Sequence, residues 1–164
     1  MKHIDIYTDG SYNKEYPDTT YGAFVSDAAS LSVKTTVPEA TAMWNVGGEL
    51  LAAIAAITFV KEVAKNLAVN SEELQVNLYY DYEGIGKWAN GSWKAKKPLT
   101  KAYRMFYLET VSNTPNMKLN LIWVKGHSIT QGNNDADELA KSGLNGDPEC
   151  LNMDDLINNI LGRK

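Results

Sequence analysis

The chain's 164 residues suffice for one domain with a sizeable core, because a chain of this length buries roughly two-thirds of its unfolded surface. A hydrophobic fraction of 44% with 22% charged residues argues against disorder and collagen-like architectures, and the longest apolar run, Leu50 to Val60, falls well short of the roughly 20 residues of a membrane helix. The net charge of -4 counts against a polyanionic partner, yet the distribution is uneven: Gly84 to Leu108 carries Lys87, Lys94, Lys96, Lys97, Lys101 and Arg104, no acid, and Trp88, Trp93 and Tyr103 between them.

Lys2 to Thr8 alternates, with Ile4 and Ile6 on one face, and predicts a strand ended by an Asp9-Gly10-Ser11 turn. Tyr21 to Ser26 and Leu31 to Val37, rich in aromatic and β-branched residues, predict two more strands and an antiparallel meander. Asn45 is a candidate cap for a helix running through Leu50, Ile54, Ile57 and Val60 to about Asn66. That helix is apolar nearly all round and is therefore expected at the centre. Leu74 to Tyr80 alternates again and ends at Asp81. A short helix follows, then the basic run, a helix over Leu99 to Val111, and a strand over Lys118 to Val124. Gly132-Asn133-Asn134 is expected to introduce a helix from about Asp135 to Ser142, and Met153 to Leu161 a small terminal one. The order βββαβααβα indicates an α/β layer fold with a mixed sheet.

In such sheets reactive groups gather at the carboxyl ends of the parallel strands. Asp9 and Asp81 stand at such ends, Glu49 near the start of the central helix, and Asp137 on the helix after the last strand. Converging carboxylates would repel one another and raise their pKa values unless cations intervened. Oxygen donors without cysteine suit Mg²⁺, with Mn²⁺ as substitute, and a pair of such ions supports phosphodiester hydrolysis. Each acid alone has a plainer reading: Asp9 as a turn residue, Glu49 as a partner of the helix dipole, Asp81 and Asp137 as helix-terminal acids. His127, in a polar loop flanked by glycine, suits proton transfer. Trp88 reads as core, whereas Lys94, Lys96 and Lys97 read as phosphate contacts or as a solvated edge. The single Cys150 admits no disulfide within the chain and no signal peptide opens it, so a cytoplasmic setting, no membrane and a monomer are expected.

The segments TDGSY (Thr8 to Tyr12), GELLAAIAAI (Gly48 to Ile57), YYDYEG (Tyr79 to Gly84) and WVKGHSITQGNNDADELA (Trp123 to Ala140) resemble the four signature blocks of type 1 ribonuclease H, in that family's order and spacing. The resemblance covers roughly Lys2 to Leu144. It implies a three-layer ribonuclease H-like fold, with a five-stranded mixed sheet in the order 3-2-1-4-5 flanked by helices. It further implies a catalytic domain over residues 1–145 and a tail over 146–164 holding a short helix. By the same resemblance Asp9, Glu49, Asp81 and Asp137 are the metal-binding catalytic acids for two Mg²⁺ ions, and His127 assists protonation or product departure. The implied substrate is an RNA/DNA hybrid duplex whose RNA strand is hydrolysed to 5′-phosphate and 3′-hydroxyl ends, the 2′-hydroxyl marking the RNA. Asn13 and Asn45 are then candidate sugar or base contacts, Gly10, Ser11 and Gly48 points of close backbone approach, and Trp93, Lys94, Lys96 and Lys97 further substrate contacts. Val46, Tyr82 and Glu83 depart from the family pattern. The basic segment is shorter than the protrusion some relatives use to grip the duplex, so low affinity is expected unless another domain or partner helps. The WVKGHS block and DELA argue against a resolvase or transposase core of the same fold, and the presence of all four acids against a silent hybrid-binding module.

Overall fold

The computed structural model describes residues 1–124 and 131–163. A mixed sheet lies at its centre in the order β5-β4-β1-β2-β3-β6, with β1 Lys2–Ser11, β2 Thr20–Ser26, β3 Ser30–Thr35, β4 Leu74–Tyr80, β5 Met117–Trp123 and β6 Leu151–Asn152. The first three strands form the expected antiparallel meander, and β4 and β5 run parallel to β1. The five predicted strands thus hold their predicted order. A sixth was not foreseen: β6 adds two residues in parallel at the edge of β3. Two residues are too few for an alternating pattern to register.

The long helix α2, Trp44–Ala68, crosses from the meander to β4. Its residues from Leu50 to Ile57 are buried on every side, as an all-apolar helix requires. One side packs on Ile4, Ile6, Val76 and Leu78 of the sheet, and the other meets helix α4, Pro98–Asn113, whose Tyr103 is fully buried and donates its hydroxyl at 2.8 Å to Ile85 O of the short helix α3, Gly84–Asn90. Preceding α2 is one unpredicted turn of helix, α1 Pro38–Thr41, begun by Pro38, whose ring suits a first helical position. The opposite sheet face receives α5, Gln131–Leu144, through Ala136, Ala140 and Gly143, a stripe of small residues that lets helix and sheet lie close.

Three expectations need correction. β1 does not turn at Asp9: Asp9, Gly10 and Ser11 pair with Ala23, Gly22 and Tyr21 and remain strand. The turn residues were legible, but a neighbouring strand captured their backbone groups. Asn45 is not a cap, because α2 starts at Trp44 after Met43 and no side chain among the described residues caps it; Asn45 lies exposed in the first turn. Gly132, Asn133 and Asn134 sit inside α5 rather than before it, since Gly132 packs against the ring of Tyr7, where any side chain would collide.

After Gly146 the chain returns to the meander edge. Met153 N–H donates to Lys34 O at 2.8 Å, the carboxylate of Asp154 accepts from the Thr35 and Thr36 hydroxyls, both at 2.7 Å, and Ile157 of helix α6, Asp154–Ile160, is fully buried. Arg163 pairs with Glu39 of α1. No described helix is long and apolar enough to cross a membrane.

Candidate active site

Strand register and close packing bring the acids together. Tyr7 of β1 pairs with Tyr79 of β4, so Asp9 and Asp81, each two residues further on, emerge side by side at the carboxyl ends of parallel strands. Asp81 is held by its main chain. Its carbonyl accepts from the Trp123 indole Nε1 at 3.0 Å, and Tyr80 O accepts from Val124 N–H at 2.7 Å. Glu49 arrives from α2 because that helix's first turn rests on the meander with almost no gap. A Cβ on Gly10 would overlap the backbone of Gly48 and Glu49, and one on Gly48 would lie 2.5 Å from Tyr21 O and 3.1 Å from Ser11 N. Backbone atoms cannot move aside. Gly48→Ala should therefore push α2 off the meander and cost about 1–3 kcal/mol of stability, as overpacking does. An unshifted thermal unfolding midpoint would show that the gap is wider than the geometry indicates.

Carboxylate oxygens of Asp9, Glu49 and Asp81 lie within 4.8 Å of one another. Glu49 is only 7% exposed, and its Oε1 accepts from Gly10 N–H at 3.0 Å, an N–H that also donates to Asp9 Oδ1 at 2.9 Å. Glu49 Oε2 is buried with no hydrogen-bond donor among the described residues. Burial foremost pushes the Asp9 carboxyl up to about 7, with the charges of Asp81 and Asp137 adding to the rise. Burial also drives Glu49 well above the usual carboxylate range, helped by Asp81 and Asp9. An orphaned buried oxygen among crowded acids is the environment a hard cation relieves, so Asp9, Glu49 and Asp81 fit a divalent ion.

Asp137 stands at the rim, near enough to Asp9 to raise its pKa, while its Oδ2 pairs with Lys141 Nζ at 3.0 Å one helical turn away. His127 lies outside the described residues. Gly10 touches both Asp9 and Glu49 through its N–H, and Gly48 packs closely against Ser11 and Tyr21. Asn13 and Asn45 line a groove of about 810 Å³ with Tyr12, Lys14 and Trp44, and the Asn13 side chain is partly engaged in accepting from Glu15 N–H at 2.9 Å. Lys94, Lys96 and Lys97 line a second groove of about 510 Å³ with Tyr82, Trp88 and Trp44. Trp93, 38% exposed, meets Trp88 and Tyr82 edge-on, so the aromatic residues of the basic run form one cluster beside the lysines. Trp88, expected in the core, is partly buried: it packs against the core and also forms a wall of the groove.

Sequence reasoning missed three residues here. Lys141 was readable as an i, i+4 partner of Asp137. The link from Trp123 to Asp81 joins residues 42 positions apart and leaves no local signal. Trp44 has a left-handed backbone, φ 56°, which costs a residue bearing a Cβ about 1–2 kcal/mol, and nothing in its neighbours announces that conformation.

A ribonuclease H family profile matches residues 1–145. A ribonuclease H of Rhizobium johnstonii is 34% identical over 150 residues, covering 88% of this chain and 93% of its own length, and one of Agrobacterium fabrum is 33% identical over 151 residues, covering 88% and 96%. Among solved structures, LC11-RNase H1, isolated from compost, superposes with a TM-score of 0.63 at 21% identity over 88% of this chain and 97% of its own. RNase H1 of Halobacterium salinarum does so with a TM-score of 0.57 at 18% identity, over 88% and 99%. LC11-RNase H1 has also been solved in complex with an RNA/DNA hybrid, and that structure superposes with a TM-score of 0.57 at 18% identity over 86% of this chain and 99% of its own. The matched span includes Asp9, Glu49, Asp81 and Asp137, and the first five strands stand in the order that the resemblance implies, so the chain belongs to the ribonuclease H family and is a ribonuclease H enzyme.

Proposed function

We propose that this enzyme hydrolyses the RNA strand of RNA/DNA hybrids with two Mg²⁺ ions, Mn²⁺ serving as substitute, and leaves 5′-phosphate and 3′-hydroxyl ends. The observation that carries the reading is the packing of Asp9 and Asp81, by the ends of parallel strands, against Glu49 of α2, with Glu49 Oε2 buried and lacking a donor among the described residues. The hybrid held by LC11-RNase H1 supports the choice of substrate. Asp9, Glu49 and Asp81 would hold one ion, and Asp137 together with Asp9 a second. When bound, the ions supply charge neutralisation for a pentacovalent phosphate and a nucleophilic water at neutral pH.

The chain's own groups do the rest. The Gly10 N–H pins one oxygen each of Asp9 and Glu49, so both carboxylates present fixed lone pairs. Gly10, Ser11 and Gly48 allow the scissile strand to approach the backbone, and Asn13 and Asn45 offer amide groups to sugars and base edges. Water oxygen bonds to phosphorus and releases a proton to solvent as the P–O3′ bond breaks, and His127 would supply the proton that the departing 3′-oxygen takes, or assist product departure. The lysine groove with Trp93 holds the other strand's phosphates. Residues 1–145 would carry the catalytic machinery, with 146–164 completing the sheet edge and core through β6 and α6.

Matched RNA/DNA hybrid, double-stranded RNA and double-stranded DNA incubated with Mg²⁺ or with EDTA test the proposal. Cleavage of the hybrid alone, with 5′-phosphate ends and lost in EDTA, is the expected outcome. Cutting that survives EDTA, or equal cutting of DNA, would overturn it.

A further inference from the structure

Trp44 stands where the two grooves meet, lining one with Tyr12, Asn13 and Asn45 and the other with Lys94, Lys96 and Lys97. Its indole is 65% exposed. A left-handed backbone is disfavoured for tryptophan, so folding alone gains nothing from holding this ring in solvent on a strained residue. The surroundings nonetheless enforce it. Fully buried Thr20 donates its hydroxyl to Trp44 O at 3.2 Å, and the N–H groups of Val46 and Gly47 both turn back to Met43 O, at 3.1 and 3.3 Å. The turn that strains Trp44 is thereby tied to the turn that delivers Glu49, five residues on.

We infer that Trp44 is a specificity-determining residue, a wedge that lays its indole in the minor groove of the bound duplex, between the strand offered to the acids and the strand held by the lysines. This rests on the hybrid-nuclease reading above. An aromatic face packs on sugars and bases without demanding a sequence, and one set between two backbones responds to how far apart they lie. That spacing differs among duplexes: the minor groove is about 6 Å wide in B-form DNA and wide and shallow in A-form RNA. Trp44 thus discriminates by groove shape.

Steady-state cleavage of hybrid by the wild type and by Trp44→Gly, Trp44→Ala and Trp44→Phe, with double-stranded RNA as competitor and thermal unfolding of each protein, tests the inference. Trp44→Gly and Trp44→Ala should raise KM roughly 5- to 150-fold, the range for losing one aromatic stacking contact, with kcat changed less than about 3-fold. Trp44→Phe should recover most of the affinity, and the preference for hybrid over double-stranded RNA should narrow in the glycine and alanine variants. Because glycine accepts φ 56° freely, Trp44→Gly should melt no lower than the wild type. A Trp44→Gly KM within twofold of wild type would overturn the inference while leaving the nuclease reading intact. A lowered midpoint with a fallen kcat would assign Trp44 a structural role instead. A wild type that does not cut hybrid would remove both readings together.

Discussion

Asp81→Asn should lower kcat on an RNA/DNA hybrid by about 10³-fold or more at saturating Mg²⁺, because a ligand that neutralises developing phosphate charge contributes several kcal/mol in the transition state. Asp81 is the most informative of the acids to remove. Its side chain is exposed at the rim while its main chain is fixed by the Trp123 indole and by the strand pairing next to it, so an amide of the same shape leaves the fold in place. The change also withdraws a negative charge that raises both Asp9 and Glu49, so the metal-free variant should unfold no earlier than the wild type at pH 8. Circular dichroism separates the two effects: near-wild-type melting with lost turnover is expected, and near-normal turnover would remove Asp81 from the metal site.

In EDTA, stability should fall as pH rises from about 5 to 8, the reverse of the usual behaviour of salt-bridged carboxylates. Asp9 has a folded-state pKa of about 7 against 3.8 for the free group, chiefly through burial and then through Asp81 and Asp137. Between those values the native state binds the proton that the unfolded chain has released, so each step up in pH favours unfolding until Asp9 has ionised in both states. Partial exposure tempers the loss to on the order of 2–4 kcal/mol for Asp9 alone. Glu49, also raised by burial, adds in the same direction. Mg²⁺ should reverse the trend, since the ion must displace protons to bind and its affinity grows as they leave. Melting curves at pH 5.5 and 8, each with EDTA and with Mg²⁺, check this. A midpoint that rises with pH in EDTA, or that ignores Mg²⁺ at pH 8, would mean that the acids are not crowded as their burial implies.

Much of this was already present in the order of residues. Burial periodicity is a local property, so the all-apolar run from Leu50 to Ile57 announced a central helix and the alternation from Leu74 to Tyr80 a strand with one wet face. The four resembling blocks named the acids. Local order thus announced which segments are buried and which residue types stand near strand ends. How they meet came from packing across the whole chain. Asp9 to Ser11 stayed in the sheet because β2 supplied partners, Asn45 lost its capping role because the chain reached α2 through an unpredicted turn, and Asp137 turned to Lys141 at the rim. Trp44 was held out between two grooves by a hydroxyl from Thr20, 24 positions earlier. Hydrogen-bond partners and close approaches between distant segments depend on the packed chain as a whole, and no window of neighbouring residues contains them.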